Sequence, residues 1–345
     1  MSVSERPGEP WGRRGRISGM SGTWRAWAQP LVGVAILAVL VRRVGADPFV
    51  DAAGMVDAWS LAAAAAITVV TTVCCAWRWL LVARGLGVAV PLPVAVAAYY
   101  RSQFLNTTLP GGVVGDVHRG VSHGREVGDL GRGLRAVAWE RAAGQAVQVA
   151  LAVVVLLLLP SPVRSSMPVV AVAVVAAVLG TLLLGRALPR HGPSALARSV
   201  RTVTADLRGG LLARRAWAGI VLASVVAVAG HTATFLVAAR AAGATVSPAR
   251  MLPLALLTLL AMGVPTNLAG WGPREGVAAW AFGAAGLSAT QGVATAVVYG
   301  VLVLVASLPG AGVLVVGWLR RRPDRARPAR SWAPVAAELE GATHG

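Results

Sequence analysis

The segment FLNTTLPGGVVGDVHRG, at 104–120, combines polar and helix-breaking residues inside a chain that is otherwise rich in Ala, Val, Leu and Gly. It contains one proline, four glycines, an aspartate, a histidine and an arginine. Proline removes a backbone N–H and ends a helix, and glycine lets unwound backbone pack closely and adopt a positive φ. The ends of helices broken in this way present free N–H groups, which bind anions together with a nearby arginine. The segment therefore predicts an anion-binding break between two helices.

A second copy of this pattern lies further along the chain, in the segment VPTNLAGWGPREG at 264–276. Both copies follow the spacing Pro-x4-Gly-x3-Arg, and a long apolar segment precedes each of them. The residues that we expect to break the helices or to free their backbone are Asn106, Pro110, Gly111, Gly112, Gly115, Pro265, Asn267, Gly270 and Gly272. Inverted repeats with two broken helices build the sites of many transporters near the bilayer midplane.

Three acids lie in or beside the apolar segments, and each has an arginine nearby. The acids are Asp116, Glu140 and Glu275, and the arginines are Arg119, Arg141 and Arg274. Ionisable residues in a membrane span are costly and tend to be functional. An arginine fork holds a phosphate through two hydrogen bonds, so the pattern indicates an anion site. In the alternative interpretation, the charge pairs only hold the broken helices against the bundle and bind no ligand.

Composition assigns the chain to the multi-spanning helical membrane proteins. The 345 residues are 56% hydrophobic and 13% charged, and a soluble domain could not bury so much apolar surface. The net charge of +18 comes from arginine alone, because the chain contains no lysine. Most of these arginines lie between apolar runs, which favours anchoring at anionic lipid over a nucleic-acid groove. We therefore predict an all-α polytopic fold, with membrane lipids and not nucleic acid as partners.

The remaining polar residues give weaker signals. His118 and His123 lack the further ligands that a metal needs, so we expect no metal and no cofactor. Arg78 lies near the end of a span and is expected to snorkel to the interface, where Trp79 would join an aromatic belt. His231 lies in the middle of an apolar run and either bonds a neighbouring helix or relays a proton.

The distribution of charge predicts how the chain crosses the membrane. The basic N-terminal tail, the connection at 188–215 and the C-terminal tail should be cytoplasmic, and the acidic loop at 46–57 should be outside. The segments at 89–132 and 251–288 must then each begin and end on one side, the first inside and the second outside. We predict about six full spans plus two re-entrant helical hairpins, entered from opposite faces in an inverted repeat. The apolar segments fall near 24–44, 58–83, 89–109, 133–160, 167–187, 216–240, 251–268 and 289–318.

This topology divides the chain into three parts. They are a cytoplasmic tail at 1–23, a membrane domain at 24–320 and a disordered Arg- and Pro-rich cytoplasmic tail at 321–345. The connection at 188–215 is expected to be amphipathic and to lie on the lipid headgroups. The predicted location is the cell membrane, with both termini in the cytoplasm.

Three motifs resemble the lysylphosphatidylglycerol synthase transmembrane region, also called the flippase-like domain family. They are FLNTTLPGGVVGDVHRG, WERAAGQ at 139–145 and VPTNLAGWGPREG, and the resemblance covers about residues 24–320. The best understood members, the multiple peptide resistance factors, carry aminoacylated phosphatidylglycerol across the bilayer. The resemblance implies that the path of the lipid headgroup is lined by Asp116, Arg119, Glu140, Arg274 and Glu275.

The chain also departs from those proteins, which append a soluble synthase domain to the membrane region. Here a short tail follows Arg320, so we expect no aminoacyl transfer and no enzyme. The second motif has Trp271 and Pro273 where smaller or aliphatic residues are common in relatives. Relatives without the synthase domain occur beside polyprenyl-lipid and glycolipid pathways. An enzyme that supplies a modified lipid is therefore an expected partner, and homo-oligomerisation is left open.

Three functions fit these sequence features. The leading hypothesis is a flippase or transporter that shields a phospholipid or polyprenyl/glycolipid headgroup in a charged cavity between the two hairpins. The alternative is a membrane glycosyltransferase with a polyprenyl-phosphate sugar donor, because Asp47, Asp51 and Asp57 lie in the first external loop. An ion-coupled transporter of small anions would also fit the hairpins.

Overall fold

A computed structural model describes residues 54–109, 112–187, 195–213, 216–263 and 273–320. The regular structure in these ranges is helical throughout, which confirms the all-α prediction. The predicted first span at 24–44, the two tails at 1–23 and 321–345, and most of the second motif lie outside the described residues. The helices are α1 (Ala58–Gly85), α2 (Leu92–Thr108), α3 (Val114–Glu126), α4 (Leu130–Leu158), α5 (Met167–Ala187), α6 (Ala195–Asp206), α7 (Trp217–Ala241), α8 (Pro248–Met262), α9 (Pro273–Ala284), α10 (Ala289–Ala306) and α11 (Pro309–Arg320).

Five helical segments of the described part are long and apolar enough to cross a membrane. They are Ala58–Gly85, Leu130–Leu158, Arg164–Thr181, Trp217–Ala241 and Ala289–Arg320. These segments agree with five of the six predicted spans, so the chain is a polytopic helical membrane protein. The last of them differs from the prediction of one continuous segment at 289–318, because it is interrupted at 307–308. Pro309 then begins α11, at a position where proline is tolerated because its missing N–H would have no helical partner.

The order of long and short helices occurs twice along the chain. The long helix α1 is followed by the shorter α2 and α3 and then by the long α4. In the same way, α7 is followed by the shorter α8 and α9 and then by α10. In each case the two shorter helices pack against each other. This order is the one that the Pro-x4-Gly-x3-Arg repeat predicts.

The two repeats run in opposite directions through the bundle. Ala64, near the start of α1, shares a core cluster with Phe235 and Ala238, near the end of α7. Val82, near the end of α1, shares another cluster with Ile220, near the start of α7. Helices α1 and α7 are therefore antiparallel, and the pairs that follow them, α2–α3 and α8–α9, begin at opposite ends of the bundle. Entry of these pairs into the bilayer as hairpins stays a prediction.

Glycines bring α3 very close to both of its neighbours. A Cβ atom on Gly115 would lie 2.1 Å from the backbone oxygen of Ser102 on α2. A Cβ atom on Gly133 of α4 would lie 2.5 Å from the backbone oxygen of Gly120 on α3. No larger residue fits at either crossing, since real Cβ atoms do not approach backbone so closely. The polar residues of α3 consequently lie within hydrogen-bonding reach of α2 and α4.

The connection after α5 is docked on one end of the bundle. Asp206, at the end of α6, accepts hydrogen bonds from Arg135 Nε at 2.8 Å and Trp139 Nε1 at 3.1 Å on α4. The π-helical turn that follows passes so close to α1 that a Cβ atom on Gly85 would lie 2.3 Å from the backbone oxygen of Gly209. Helix α6 buries Ala197 and Val200 and exposes its arginines, so the helix is amphipathic, as predicted.

Candidate functional site

Glu140 of α4 lies at the centre of a buried set of charged side chains. The residue has no exposed surface, at 0%. Its Oε1 atom accepts hydrogen bonds from Arg78 Nε of α1, at 2.9 Å, and from the Tyr99 hydroxyl of α2, at 3.0 Å. Its Oε2 atom accepts from Arg119 Nη2 of α3, at 2.8 Å. One carboxylate therefore joins four helices of the first repeat.

Asp116 forms a second junction one turn before Arg119 on α3. Its Oδ1 atom accepts hydrogen bonds from the Ser102 hydroxyl at 3.0 Å and from Arg119 Nη2 at 3.0 Å. Its Oδ2 atom accepts from Asn106 Nδ2 at 2.8 Å and from Arg141 Nη2. Asn106 also accepts the backbone N–H of Gly115 at 2.8 Å, so α2 binds the first turn of α3 directly.

Arg119 is held between two aromatic rings as well as two acids. Its guanidinium carbon lies 4.2 Å from the ring centroid of Tyr99 and 4.7 Å from that of Trp79. Cation–π contacts of this kind stabilise a guanidinium more strongly when it is removed from water. The residue is 1% exposed. The rings and acids together fix the plane of the guanidinium.

The charged side chains around Glu140 and Asp116 carry one positive charge in excess. We call Arg78, Asp116, Arg119, Glu140 and Arg141 the charge cluster, which contains three arginines and two carboxylates. The four buried side chains balance one another, two arginines against two carboxylates. The excess charge belongs to Arg141, whose side chain is 46% exposed. The cluster therefore suits an added anion and has one arginine that a ligand can reach.

A second polar cluster lies in the other repeat. Arg274 Nε donates to Glu275 Oε1 at 2.9 Å, and the Arg274 guanidinium lies 5.6 Å from the Tyr299 ring centroid. The Tyr299 hydroxyl shares a hydrogen bond of 3.4 Å with His231 Nδ1. We call His231, Arg274, Glu275 and Tyr299 the Tyr299 cluster. The predicted bond between His231 and a neighbouring helix is confirmed by this contact.

Helix α7 connects the two clusters. Ser224 accepts a hydrogen bond from Arg78 Nη1 at 3.1 Å, and His231 belongs to the Tyr299 cluster. These two residues are seven positions apart, so they lie on the same face of α7, about 10 Å apart along its axis. The two sets of polar side chains therefore lie at different depths along one helix face.

Glu140 has Arg141 beside it in sequence but pairs with Arg78 and Arg119, while Arg141 reaches Asp116. The structure corrects two predictions from sequence. The prediction that Arg78 snorkels to the interface is wrong, since it is buried against Glu140 and Ser224. The prediction that Trp79 joins an interfacial belt is also wrong, since it is buried beside Arg119.

Of the residues predicted to break the helices or to free their backbone, the structure describes Asn106, Gly112 and Gly115. Gly112 adopts a positive φ of 62°, and Gly115 allows the close approach to α2, as expected for glycines at a break. Asn106 lies within α2 and spans the break through its side chain. Pro273 begins α9, where proline is tolerated. Outside the described residues lie Pro110, Gly111, Pro265, Asn267, Gly270, Trp271 and Gly272.

Tyr99, Ser102 and Ser224 were not predicted to belong to the site. Hydroxyl residues in an apolar helix are common, and their spacing does not show which of them face a charge. Arg78 did carry a signal, because a charged residue within a 28-residue helix is costly unless it is paired. Its position near the end of α1 also fitted a side chain that snorkels to the membrane interface.

Asp57 is the one described acid of the loop at 46–57, which was predicted to be external. Its side chain accepts the Ser60 backbone N–H at 2.8 Å and caps the first turn of α1. This hydrogen bond lowers the pKa of the Asp57 carboxyl. The residue therefore has a structural role at the start of α1.

The sequence model of one family, described as Lysylphosphatidylglycerol synthase TM region, matches residues 26–310. The match includes the charge cluster, the Tyr299 cluster and both copies of the repeated motif. The chain belongs to this family. No curated protein and no solved structure matches the chain significantly. As a member of the lysylphosphatidylglycerol synthase transmembrane-region family, the chain is a membrane protein of the flippase-like type.

We predict that Glu140→Gln lowers the stability of the folded protein by about 3–5 kcal/mol. The substitution leaves three arginines facing one carboxylate in the charge cluster. Thermal unfolding of the purified protein in detergent measures the change. Asp129→Asn is the control, because the Asp129–Arg132 pair is 42% and 44% exposed. Asparagine also caps a helix, so the control should change stability by less than about 1 kcal/mol. Equal effects of the two substitutions would contradict the prediction.

Proposed function

We propose that the chain is a lipid flippase or lipid transporter that moves a phosphate-bearing headgroup, from a phospholipid or a polyprenyl/glycolipid, through the polar interior of the bundle. The observation that carries the proposal is the excess positive charge of the charge cluster. A phosphate would balance that charge and accept hydrogen bonds from arginine. The proposed partners are membrane lipids and an enzyme that supplies the modified lipid.

Energetics explain why a transporter would need these pairs. A charged headgroup in the hydrocarbon core faces the same cost as a charged side chain there. The arginines and acids bond one another in the charge cluster, so each charged side chain has a partner when no ligand is bound. A phosphate that reaches Arg141 can take over hydrogen bonds now made to Asp116, and the exchange leaves no charge unpaired.

The arrangement of the two clusters supports a path rather than a single site. Each cluster adjoins one pair of shorter helices, and the pairs begin at opposite ends of the bundle. The Tyr299 cluster offers a second arginine, Arg274, which lies beside Tyr299, the partner of His231 two turns along α7 from Ser224. A headgroup could be passed from the arginine of one repeat to that of the other. In this proposal Asp116, Glu140 and Glu275 hold the arginines or meet a cationic part of the headgroup.

No observation favours the glycosyltransferase alternative. The acid of the external loop that is described, Asp57, caps a helix. We accordingly propose a transport role without a chemical step.

We also propose that the end of the bundle that carries α6 is cytoplasmic, in the cell membrane. Among the described residues, arginines are more numerous at this end, as the positive-inside rule requires. In that part of the chain, those at the end with α6 include Arg84, Arg125, Arg132, Arg186, Arg198 and Arg201, and those at the opposite end are Arg164, Arg240 and Arg250. In this orientation α2–α3 would enter from the cytoplasm and α8–α9 from outside.

Orientation can be tested by labelling single cysteines in intact cells, with Cys74 and Cys75 replaced by alanine. Ser199→Cys on α6 and Thr290→Cys on α10 are both exposed positions. We expect a membrane-impermeant maleimide to label position 290 and not position 199, and to label both after the cells are opened. Labelling of position 199 in intact cells would contradict the orientation.

We predict that Arg119→Gln and Arg274→Gln each slow the movement of a labelled phospholipid in proteoliposomes about tenfold or more, since a lost hydrogen bond to a charged group costs roughly 1.5–3 kcal/mol. Arg119→Gln should still fold, because Arg78 and Arg141 remain to balance Glu140 and Asp116.

Arg132→Gln is the matched control, because it removes one arginine from a partly exposed pair outside both clusters. We expect this variant to move lipid at the parent rate. Folded Arg119→Gln and Arg274→Gln proteins that also move lipid at the parent rate would show that these arginines only pin the helices.

A further inference from the structure

The two clusters differ by one unit of charge. The charge cluster carries three arginines and two carboxylates, which is an excess of one positive charge. The Tyr299 cluster carries one arginine and one carboxylate, so it is neutral while His231 is neutral. An anionic headgroup is therefore balanced in the charge cluster, but beside Arg274 it brings a negative charge that nothing in the Tyr299 cluster offsets.

The missing positive charge matters because the Tyr299 cluster is buried. Tyr299 is 1% exposed and Arg274 is 4% exposed. An unbalanced charge is costly in the interior of a membrane protein. The segment at 264–272, between α8 and α9, contains no ionisable residue that would supply the charge. Passage of an anion to Arg274 consequently requires a cation from solution.

His231 can supply this charge by taking up a proton. An arginine is always charged and a tyrosine is neutral or negative, whereas an imidazole gains a positive charge when it is protonated. Glu275 is the other titratable candidate, but protonation would break its ion pair with Arg274, whose Nε donates to Oε1 at 2.9 Å. Protonation of His231 breaks no ion pair with Tyr299, because that partner is a neutral hydroxyl.

Tyr299 suits both protonation states of His231. A hydroxyl can donate and accept, and the Tyr299 oxygen lies 3.4 Å from His231 Nδ1. When Nδ1 is bare, the hydroxyl donates to it; when Nδ1 carries a proton, it donates to the same oxygen. His231 is also partly exposed, whereas Tyr299 is buried. The imidazole is therefore the more accessible member of the pair, and the contact is kept when a proton binds.

The surrounding charges oppose a proton on His231 until an anion arrives. The arginines on the helices around α7 are Arg78, Arg141 and Arg274, and the carboxylates are Glu140 and Glu275, so positive charges outnumber negative ones. The described residues of α8 add Arg250, which is exposed at the start of that helix. The remaining titratable groups inward from the helix ends are Cys74 and Cys75 on α1 and Tyr299 on α10. An anion beside Arg274 offsets this excess and favours the proton.

We propose that His231 binds a proton when an anionic headgroup reaches Arg274, so that the lipid and one proton cross the membrane together. The inference rests on the proposed function and names the ion that is coupled to it. Water on one side of the membrane gives the proton to Nδ1, and water on the other side receives it. Proton and anion each raise the affinity for the other, as linkage requires. Their charges cancel, so the cargo is neutral.

The test uses proteoliposomes that contain the full chain, a trace of acyl-labelled phosphatidylglycerol and a pH gradient, with the membrane potential held at zero by potassium and valinomycin. Quenching of the outer leaflet by dithionite measures where the label lies. At equilibrium we expect about tenfold more label in the leaflet that faces the alkaline side for each pH unit, since one unit is a tenfold ratio of protons. Protein-free liposomes give the passive redistribution. Movement of the label to equal amounts in both leaflets would overturn the proposal.

His231→Gln keeps a side chain that can bond Tyr299 but takes up no proton. We expect this variant to move the label without accumulation on the alkaline side. His191→Gln is the matched control, because it removes a histidine from the connection at 188–215, and it should accumulate the label as the parent does. Accumulation by His231→Gln to the parent level would contradict the proposal. Tyr299→Phe, which removes the partner hydroxyl and keeps the ring, should weaken accumulation and replaces His231→Gln if that variant does not fold.

A second measurement does not depend on transport. Dihexanoyl phosphatidylglycerol is added to the protein in weakly buffered detergent solution with a pH-sensitive dye. We expect the parent to take up protons as the lipid binds and His231→Gln to take up none. The proposal is wrong if the parent takes up no protons or if both proteins take up the same number. This comparison decides the matter if His231→Gln is folded but moves no lipid.

The outcome is separable from that of the proposed function. A protein that moves the label without accumulation retains the transport role and loses the proton site. A protein that takes up protons with the lipid in detergent but moves no lipid in proteoliposomes retains the proton site and contradicts the transport role.

Discussion

A buried carboxylate inside a membrane bundle must be matched by cations that are buried with it, and Glu140 imposes this constraint on the structure. The carboxylate has no exposed surface, so its partners must come from neighbouring helices. Arg78 and Arg119 provide them from α1 and α3, and Tyr99 completes the set from α2. Removal of one partner of a buried pair costs more than the pair contributes, because a bare charge stays behind. The register of four helices is therefore fixed by one side chain.

The helix packing makes this arrangement possible. Gly115 and Gly133 bring α3 so close to α2 and α4 that the short Asp116 side chain reaches both helices. The break around Gly112 lets α3 turn back along α2, and the Asn106 amide joins the two across the break. The features that interrupt the helices thus also position the charges.

The helices and several site residues could be predicted from sequence. The partners of the site residues could not, because they depend on how the helices pack. The apolar runs and the two copies of Pro-x4-Gly-x3-Arg predict the long and short helices, because helix breaks and hydrophobicity are local properties. The family motifs identify Asp116, Arg119 and Glu140, which the structure brings together. The partner of Glu140 was not predictable, since Arg78 is 62 residues away and only the antiparallel packing of the bundle brings it close. The buried position of Trp79 has the same cause.

We propose that the excess positive charge of the charge cluster recognises the phosphate of a lipid. Proteoliposomes that contain the full chain can carry two labelled lipids of similar chain length, one with a phosphoglycerol headgroup and one with an uncharged sugar headgroup. Both headgroups are polar and cross a protein-free bilayer slowly, so they differ chiefly in the phosphate. We expect the protein to accelerate the movement of the phosphoglycerol lipid and to leave the uncharged glycolipid at the protein-free rate. Equal acceleration of both lipids would contradict the claim.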